Sequence, residues 1–457
     1  MINSTPVIAI FDVGKTNKKL FLFDEHYHIV YEESTQLTES IDEDGDNCED
    51  LTALTVWITS TFARLTEEKK FDIKAVNFSA YGASFVHIMA EGSQLLPLYN
   101  YLKVYPEELQ NTFYETYGGK EQLSRQTASP VSGSLNSGLQ LYRIKNQKPE
   151  VYKTIRKSLH LPQYLSFLIT NQKFSDITSI GCHTSLWDFK EKNYHDWVYA
   201  EGIDKILAPI AKGDEAFKVS ASGGVIISGI GLHDSSAALI PYLINFTDPF
   251  ILISTGTWCI SLNPFNEQPL TDEELKSDCL CYLTYKGKPV KANRLFAGYE
   301  HEIQTKNIAA HFGVANDFYK KVQFNPLTLQ KVKALNIHTG KGSGGFAELE
   351  AASFESAEHA YYQLMLNIME RQLVSTGMVL QGTTVKRLFV DGGFGKNSIF
   401  MNLLAAAFPN VEVFAASMAQ ATAMGAALAI HNSWNTVPLP GDMIELKFYS
   451  VVSPTAV

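Results

Sequence analysis

Cysteine is scarce: there are five in 457 residues, an odd number with no framework spacing. Cys48, Cys182 and Cys259 are scattered, and only Cys279 and Cys281 form a close pair. This usage excludes a disulfide scaffold and points to reduced thiols and a cytoplasmic setting. The Cys-x-Cys pair reads as one inward and one outward strand residue, not as half of a metal site. Long apolar runs are also missing, since none approaches the roughly 18 residues of a membrane-spanning helix. Asp12 comes too early for a charged segment, an apolar segment and a cleavage site to precede it. Positive charge is short as well, with 38 Lys and Arg against 48 Asp and Glu and a net charge of −10. That balance argues against nonspecific nucleic-acid binding, which relies on Lys and Arg to neutralise phosphates. No Pro-rich or low-complexity tether divides the chain, so its parts are expected to pack closely around a hinge. Neither a nucleic-acid nor a membrane partner is expected; a homodimer stays open.

What is present is a well-buried globular composition, 45% apolar and 19% charged, with a length that suits two or three domains or two large ones. Two segments read as one device used twice. Asp12-Val-Gly-Lys-Thr-Asn17 lies between the apolar runs Val7–Phe11 and Leu20–Phe23, and Ser254-Thr-Gly-Thr-Trp258 lies between Phe250–Ile253 and Cys259–Leu262. In each, β-rich runs flank a short Gly/Thr connection, the signature of a hairpin with a sharply turned tip. Such a tip presents backbone N–H groups and hydroxyls as a nest for phosphate oxygens. Lys15, Lys18 and Lys19 cluster at the first tip, so anion binding is local. Two such tips half a chain apart suggest two related halves clamping one polyphosphate.

The intervening chain supports an α/β reading. Ile29–Tyr31 continues a meander, Val76–Tyr81 reads as a strand ending at Gly82, and a helical, irregular region runs from about 106 to 207. Within it, Pro106-Glu-Glu-Leu109 and Tyr117-Gly-Gly119 fit helix start and stop signals. Gly223–Gly231 is a Gly-bounded β run, and the domain junction is placed just after it. Apolar residues at Tyr362, Leu366, Met369, Leu373 and Leu380 predict a long helix over Ala357–Leu380. Arg387–Gly393 is a strand running into a Gly turn, followed by helices at about Ser398–Ala407 and Ala419–Ile430. The expected architecture has domains over 1–232 and 233–457, each with a central mixed sheet flanked by helices, and a substrate cleft between them.

The pieces occur in the order found in the FGGY carbohydrate kinases of the sugar kinase/actin superfamily, which this chain resembles from about residue 6 to 430. Asp12-x-Gly-x-Thr16 with Lys19 resembles that family's first phosphate motif, and Ser254–Trp258 its second. Ser228-Gly-Ile-Gly-Leu-His-Asp-Ser-Ser-Ala-Ala-Leu239 resembles the segment holding the catalytic aspartate. Val390-Asp-Gly-Gly-Phe-Gly395 with Asn397 resembles the adenosine motif, and Ala421–Ala427 the connecting helix after it. The resemblance implies two actin-like (ribonuclease H-like) domains and ATP-dependent phosphorylation of a sugar, with Mg²⁺ as cofactor and the active site in the interdomain cleft. Implied phosphate and nucleotide contacts are Gly14, Lys15, Thr16, Asn17, Lys19, Thr255, Gly256, Thr257, Gly392, Gly393, Asn397 and Gly425.

Asp12 ends a buried strand beside Gly14, which suits it to hold magnesium, most simply through water, since Mg²⁺ takes one or two carboxylates plus phosphate oxygens. The alternative is a turn-capping Asp bonded to its own loop. Asp234 is the expected general base: a sugar hydroxyl is a poor nucleophile and needs a carboxylate to orient it and accept its proton. Asp234 also suits the N-cap of a helix over Ser235–Ile240, and the two roles are compatible. His233 and Ser235 flank it; His233 matches a position that bonds a substrate hydroxyl in the deoxy-ketose branch of the family, with a structural histidine as the alternative. Lys19 matches the basic residue of the first motif. Lys15 stands where the family more often has a small residue, and both a phosphate contact and solvated surface stay open for it. Gly392 and Gly393 would let the chain approach the nucleotide; a simple strand-to-helix turn is the other reading. Gly425 costs about 1 kcal/mol in a helix, which either close packing or nucleotide approach must justify.

Gly340-Lys-Gly-Ser-Gly-Gly345 satisfies G-x-G-x-x-G, yet no convincing strand precedes it and its Lys is misplaced for a P-loop, so it reads as a loop. Trp187 and Trp197 read as core. Where many family members carry Asp-x-Arg, this chain has Leu98-Tyr-Asn-Tyr-Leu102, and the long Gly-rich signature ending in Gly-Glu-Arg is missing from 263–350. Both departures weigh against a xylulose or glycerol kinase. Gly-Thr-Trp and His-Asp-Ser are closer to rhamnulokinase-like and fuculokinase-like members, so the favoured substrate is a deoxy-ketose, phosphorylated at its 1-hydroxyl. Tyr81, Gly82, Ala83, Ser84 and Tyr99 are the candidates to line its site. A xylulose/ribulose-type or polyol kinase, a catalytically silent sugar sensor and a non-sugar ATPase of the superfamily are the competing readings; the last would need paired cluster-ligating cysteines, for which Cys279-Leu-Cys281 is a poor candidate.

Overall fold

The computed structural model describes residues 4–68, 70–221, 224–335, 349–418 and 420–450. Strands β1 (Thr5–Val13), β2 (Lys18–Asp24) and β3 (Ile29–Thr35) form an antiparallel meander. β1 is buried on both faces: Val7, Ala9, Phe11 and Val13 enter one cluster, Ile8 and Ile10 another. That two-sided burial is why it reads as an unbroken apolar run and not as an alternation. Helix α1 (Leu51–Glu67), capped by Asp50 on the Ala53 amide, covers the first face with Leu54, Ile58 and Leu65. β4 (Phe71–Ala80) runs parallel to β1, the hairpin β5 (Ala216–Ala221) and β6 (Gly224–Gly229) adds to its far edge, and β7 (Leu232–His233) pairs with its last residues. The order is β5-β6-β4-β1-β2-β3, with β7 beside β4.

The chain then enters α2 (Asp234–Asn245) and a second sheet of β8 (Phe250–Thr255), β9 (Cys259–Asn263), β10 (Cys279–Leu283) and β11 (Pro289–Leu295). After α3 (Ala297–Phe312) and α4 (Ala357–Leu380) come β12 (Arg387–Gly392), α5 (Ser398–Ala407), β13 (Glu412–Ser417), α6 (Ala421–Ala429) and β14 (Glu445–Tyr449). Its order is β10-β11-β9-β8-β12-β13-β14. In both sheets the first strand pairs antiparallel with its hairpin partner and parallel with a later strand, β1 with β4 and β8 with β12. The hairpin device therefore recurs in two sheets of like construction.

Helices α2 and α6 lie between the sheets. Ala237 and Ile240 of α2 join Ile8, Ile10, Phe21 and Phe23 of the first sheet, while Leu239 and Tyr242 join Phe250, Leu252 and Phe389 of the second. α6, although late in the chain, packs on the first sheet through Met424 and Ala427.

Four expectations need correction. The helix expected over Ser235–Ile240 starts at Asp234 and continues through Pro241 to Asn245, because burial on both sides holds it past the proline. Residues two apart on a strand share a face, so Cys279 and Cys281 both point into one small cluster with Ala128 and Leu270. α4 has the expected bounds, and Tyr362, Leu366, Met369 and Leu380 of the expected stripe meet the core, but Leu373 is 44% exposed, and Tyr361, Met365, Ile368 and Gln372 are buried as well. The helix expected over Ala419–Ile430 is shorter, Ala421–Ala429. Trp187 and Trp197 are core residues of the helical region, where Phe113 meets Trp197 edge to face at 5.0 Å. Gly340–Gly345 lies outside the described residues.

Candidate active site between the two hairpin tips

At the first tip, the Gly14 amide donates to the Asn17 carbonyl at 2.9 Å, and a Cβ at residue 14 would stand 3.1 Å from that oxygen. Thr16 and Asn17 are exposed at the turn, and Asn17 Oδ1 accepts from Gln36. The three lysines part company. Lys18 points into the core, 1% exposed, where its ammonium pairs with Glu49 at 2.8 Å and donates to the Lys15 carbonyl. Lys15 pairs with Glu39 at 2.7 Å and lies over the Tyr81 ring. Lys19 faces the cleft side and reaches Gln420 Oε1 at 3.4 Å.

Asp12 precedes this turn, and its Oδ2 accepts from Thr422 Oγ1 of α6 at 3.3 Å. Burial pushes its carboxyl up to about 6, with the charge of Asp234 adding to the rise while Lys19, Thr422 and Ser79 oppose it. The two carboxylates thus share one electrostatic environment.

Asp234 is the first residue of α2, with His233 in the capping position. Its Oδ1 accepts from the Ser235 amide at 2.6 Å and lies 3.2 Å from His233 Nε2, and Oδ2 has no partner among the described residues. The carboxylate is therefore tied to the helix N-terminus by one oxygen and left open at the other. His233 is clasped from behind: its amide donates to Thr178 Oγ1 at 3.0 Å, and its Nε2 is 3.3 Å from Cys182 Sγ. Thr178 in turn donates to the buried Asp176. Tyr282 stacks on the His233 ring at 5.7 Å, and burial lowers the His233 pKa against the pull of Asp234. Gly82 lies on this ring so closely that a Cβ would come within 2.7 Å of Cδ2. Ala83, His183 and Ser185 all have positive φ, 59°, 41° and 61°. Left-handed backbone at non-glycine residues stores strain that the surrounding packing must hold.

Of the other expected sugar-side residues, Tyr81 is buried and donates to Glu49 at 3.2 Å, and Ser84 Oγ donates to the Tyr99 carbonyl at 3.4 Å. Tyr99 itself turns away. Its hydroxyl bonds Glu43, and its ring sits between the ammonium groups of Lys103 and Lys148, inside an ionic cluster with Asp42, Asp44 and Asp46. Tyr101 lies nearer these groups: its ring is 6.0 Å from Tyr81, and the Asp234 charge contributes to its raised pKa after burial. The sequence offered a signal in Tyr-x-Tyr, since the two residues share a face in extended chain, but it did not say which one reaches inward.

At the second tip, the Gly256 amide donates to the Trp258 carbonyl at 2.8 Å and the Tyr299 amide to Thr257 at 3.1 Å. A Cβ at Gly298 would fall 1.8 Å from the Gly256 oxygen, so the N-terminus of α3 abuts the tip directly. Gly256 and Thr257 are exposed, whereas Thr255 is buried: its hydroxyl donates to the Asp391 carbonyl at 2.6 Å and accepts from the Phe394 amide. Gly392, at φ +93°, would place a Cβ 2.0 Å from the Thr255 oxygen. Thr255 and Gly392 thus stitch the tip to the glycine turn. Beside them opens a cleft of about 430 Å³ bordered by Gly256, Gly298, His301, Gly393, Asn397 and Ser398. Asn397 caps α5 through its oxygen. Gly425 does not border this cleft; a Cβ there would strike the Ala237 oxygen at 1.8 Å, so close packing accounts for it. Sequence reasoning also missed Arg294, which binds Asp278 with two nitrogens at 2.7 and 3.0 Å and lies over Trp258. Nothing in the local sequence joins residues from two separate strand ends.

Among the described residues no three His, Cys, Asp or Glu side chains form a metal cage. The hard-oxygen donor of Asp12, facing the tip with few protein partners, nevertheless fits Mg²⁺ bound mainly through water and phosphate oxygens.

Two sheets of like construction, each carrying one of the hairpin tips, and a carboxylate anchored at the start of the helix that joins them make up a two-domain architecture. Residues 7–240 match the N-terminal domain of the FGGY family of carbohydrate kinases, and residues 247–437 match the Carbohydrate kinase FGGY C-terminal domain. The chain belongs to the FGGY family of carbohydrate kinases. A rhamnulokinase from Halalkalibacterium halodurans is 24% identical over 256 residues, 54% of this chain, and the chain spans about half of that relative's length, 52%. Among solved structures, a carbohydrate kinase from Novosphingobium aromaticivorans superposes with TM-score 0.81 at 20% identity, over 98% of this chain and 95% of the other. A ligand-bound xylulose kinase from Lactobacillus acidophilus gives 0.79 at 17% identity over 98% and 94%. A gluconate kinase from the same organism gives 0.77 at 18% over 98% and 94%. At these identities the likeness is one of fold.

Proposed function

We propose that this protein is an ATP-dependent kinase that transfers the γ-phosphoryl group to a hydroxyl of a ketose, with a deoxy-ketose such as rhamnulose or fuculose as favoured substrate. The observation that carries the reading is Asp234: one oxygen anchored on a helix N-terminus, the other free, within electrostatic reach of Asp12. The free oxygen accepts the proton of the attacking hydroxyl, and the anchored one keeps the carboxylate aimed. N–H groups at the α2 N-terminus favour the negative charge that gathers at the phosphoryl group. Half-buried Gly14 and the exposed tip residues Thr16, Asn17, Gly256 and Thr257 hold the phosphate chain from two sides, with Lys19 on the cleft side of the first. Asp12 would hold Mg²⁺, which when bound neutralises phosphate charge and orients the transferred group.

The sugar lies against Tyr81, Gly82, Ala83, His233 and Tyr101. Support for the deoxy-ketose comes from the His233-Asp234-Ser235 sequence and from the missing Asp-x-Arg; support for the wider class comes from the family. We read the adenosine moiety into the 430 Å³ cleft and the enzyme as cytoplasmic. A panel of ketoses, aldoses and polyols with Mg-ATP, scored for sugar-dependent ADP release, tests the reading: release with rhamnulose or fuculose above xylulose, ribulose, gluconate and glycerol is expected. Release with another sugar overturns the substrate, and release with none of them, together with measurable sugar binding, favours a silent sugar-binding protein.

A further inference from the structure

Two side chains bordering the 430 Å³ cleft, His301 and Asn397, are joined by a line of hydrogen bonds through the buried hydroxyl of Tyr361. Asn397 Oδ1 accepts from the Ile399 and Phe400 amides, both at 3.0 Å. Only an oxygen does that, so the amide nitrogen faces Tyr361, donating to its hydroxyl at 2.6 Å. Burial holds the Tyr361 phenol above its ordinary pKa, so it keeps its proton. The hydroxyl's other neighbour is His301 Nε2, at 3.0 Å. With Asn397 donating in, the phenol proton goes out to Nε2, which makes Nε2 an acceptor. Burial lowers His301 to about 4, so the ring is neutral near pH 7 and its single N–H sits on Nδ1. Nδ1 has no partner among the described residues. The ring cannot swing freely, because it meets Tyr319 at 4.8 Å and 88° and Phe394 at 5.3 Å and 89°.

We propose that His301 is a base-reading residue, its Nδ1–H donating to an unprotonated ring nitrogen of the purine. The inference rests on reading this cleft as the nucleotide site. It also transfers to His301 a recognition role that the motif alone assigned to Asn397, whose oxygen is already occupied by backbone amides. Adenine presents three bare ring nitrogens, N1, N3 and N7, and a fixed donor rewards the one that faces it. A site built to pair a specific donor penalises a ligand lacking the matching acceptor.

The test uses the full chain with ATP and its 1-deaza, 3-deaza and 7-deaza analogues, measuring dissociation constants by fluorescence competition. One analogue, and only one, should bind the unmodified protein about 2–10-fold more weakly than ATP, the range of one neutral hydrogen bond. His301→Met leaves Tyr361 a weak thioether acceptor but has no donor, so it should bind ATP as weakly as that analogue and cease to distinguish the two. His301→Asn keeps a donor near the Nδ1 position and should retain the discrimination. Equal binding of all three analogues to the unmodified protein overturns the proposal without a variant being needed. ATP binding that is unaffected by His301→Met overturns it while leaving the kinase reading intact; no adenine nucleotide binding at all overturns both.

Discussion

The α-carbon of Gly425 rests against the carbonyl oxygen of Ala237, so closely that a Cβ at 425 would fall 1.8 Å from that oxygen. Pro241, four residues beyond Ala237 in the same helix, has no N–H to give this carbonyl. The proline thus leaves an acceptor bare, and the glycine of the crossing helix covers it. Gly425→Ala removes a helix penalty of about 1 kcal/mol but forces two buried helices apart, and overpacking of that kind costs about 1–3 kcal/mol or more. A lower urea midpoint is expected. A midpoint equal to or above the parent's would mean the helices separate freely.

Asp234→Asn should leave fold and ATP affinity intact while turnover falls on the order of 10²–10⁴-fold, the range of general-base contributions. The amide still accepts from Ser235, so the helix start is preserved. Steady-state rates and circular dichroism together make the measurement; turnover within about threefold of the parent would remove Asp234 from the chemistry.

Asp176 gives a pH signature. It is fully buried under Thr178, and burial pushes its carboxyl up to about 7 against the hydrogen bonds of Thr178 and Ser179. A carboxyl raised on folding binds its proton more tightly in the native state, so its contribution is complete below the ordinary carboxylate range. That contribution declines as pH rises through about 7, by at most about 1.4 kcal/mol per unit. Buried His87 and His160, lowered to about 4 and about 3, act in the opposite sense by losing stability as pH falls below about 6.5. The parent must therefore be compared with Asp176→Asn, which keeps both acceptor bonds. The variant should gain on the parent between pH 5 and about 7 in chemical denaturation; a constant difference across that window refutes the assignment.

Two tips on opposite halves touch one nucleotide only if the halves approach, and closure excludes water from the reacting phosphate. Solution scattering should show a smaller radius of gyration with sugar plus a nonhydrolysable nucleotide than with neither. Thr257 is exposed at its tip and its carbonyl, not its hydroxyl, bonds Tyr299. Thr257→Val should therefore weaken the nucleotide-driven change and leave the sugar-only state alone. Identical scattering in every ligand state counts against the clamp.

Both hairpins, the 357–380 helix and the order of the motifs were legible because each rests on local periodicity and turn chemistry. The separate fates of Lys15, Lys18 and Lys19 were not: alternation along β2 separates Lys18 from Lys19, but only the distant Glu49 explains why a lysine can enter the core. The different surroundings of Tyr99 and Tyr101 were hidden for a related reason. Their orientations go with the acidic loop at 42–46 and with Asp234, residues far apart in sequence. His301 carried no motif, since its meaning comes from a hydroxyl sixty residues away and an amide beyond that.

The position of α6 bears on how this protein can be divided. A fragment ending anywhere between the two family matches would carry Ile8, Ile10, Phe21 and Phe23 without the late helix that covers them. It would present a greasy sheet face to water and aggregate or capture a foreign helix. A chimera exchanging only the front half would inherit a lid evolved for another sheet. The functional graft between relatives is therefore discontinuous: the first 245 residues together with 420–430, moved as one piece.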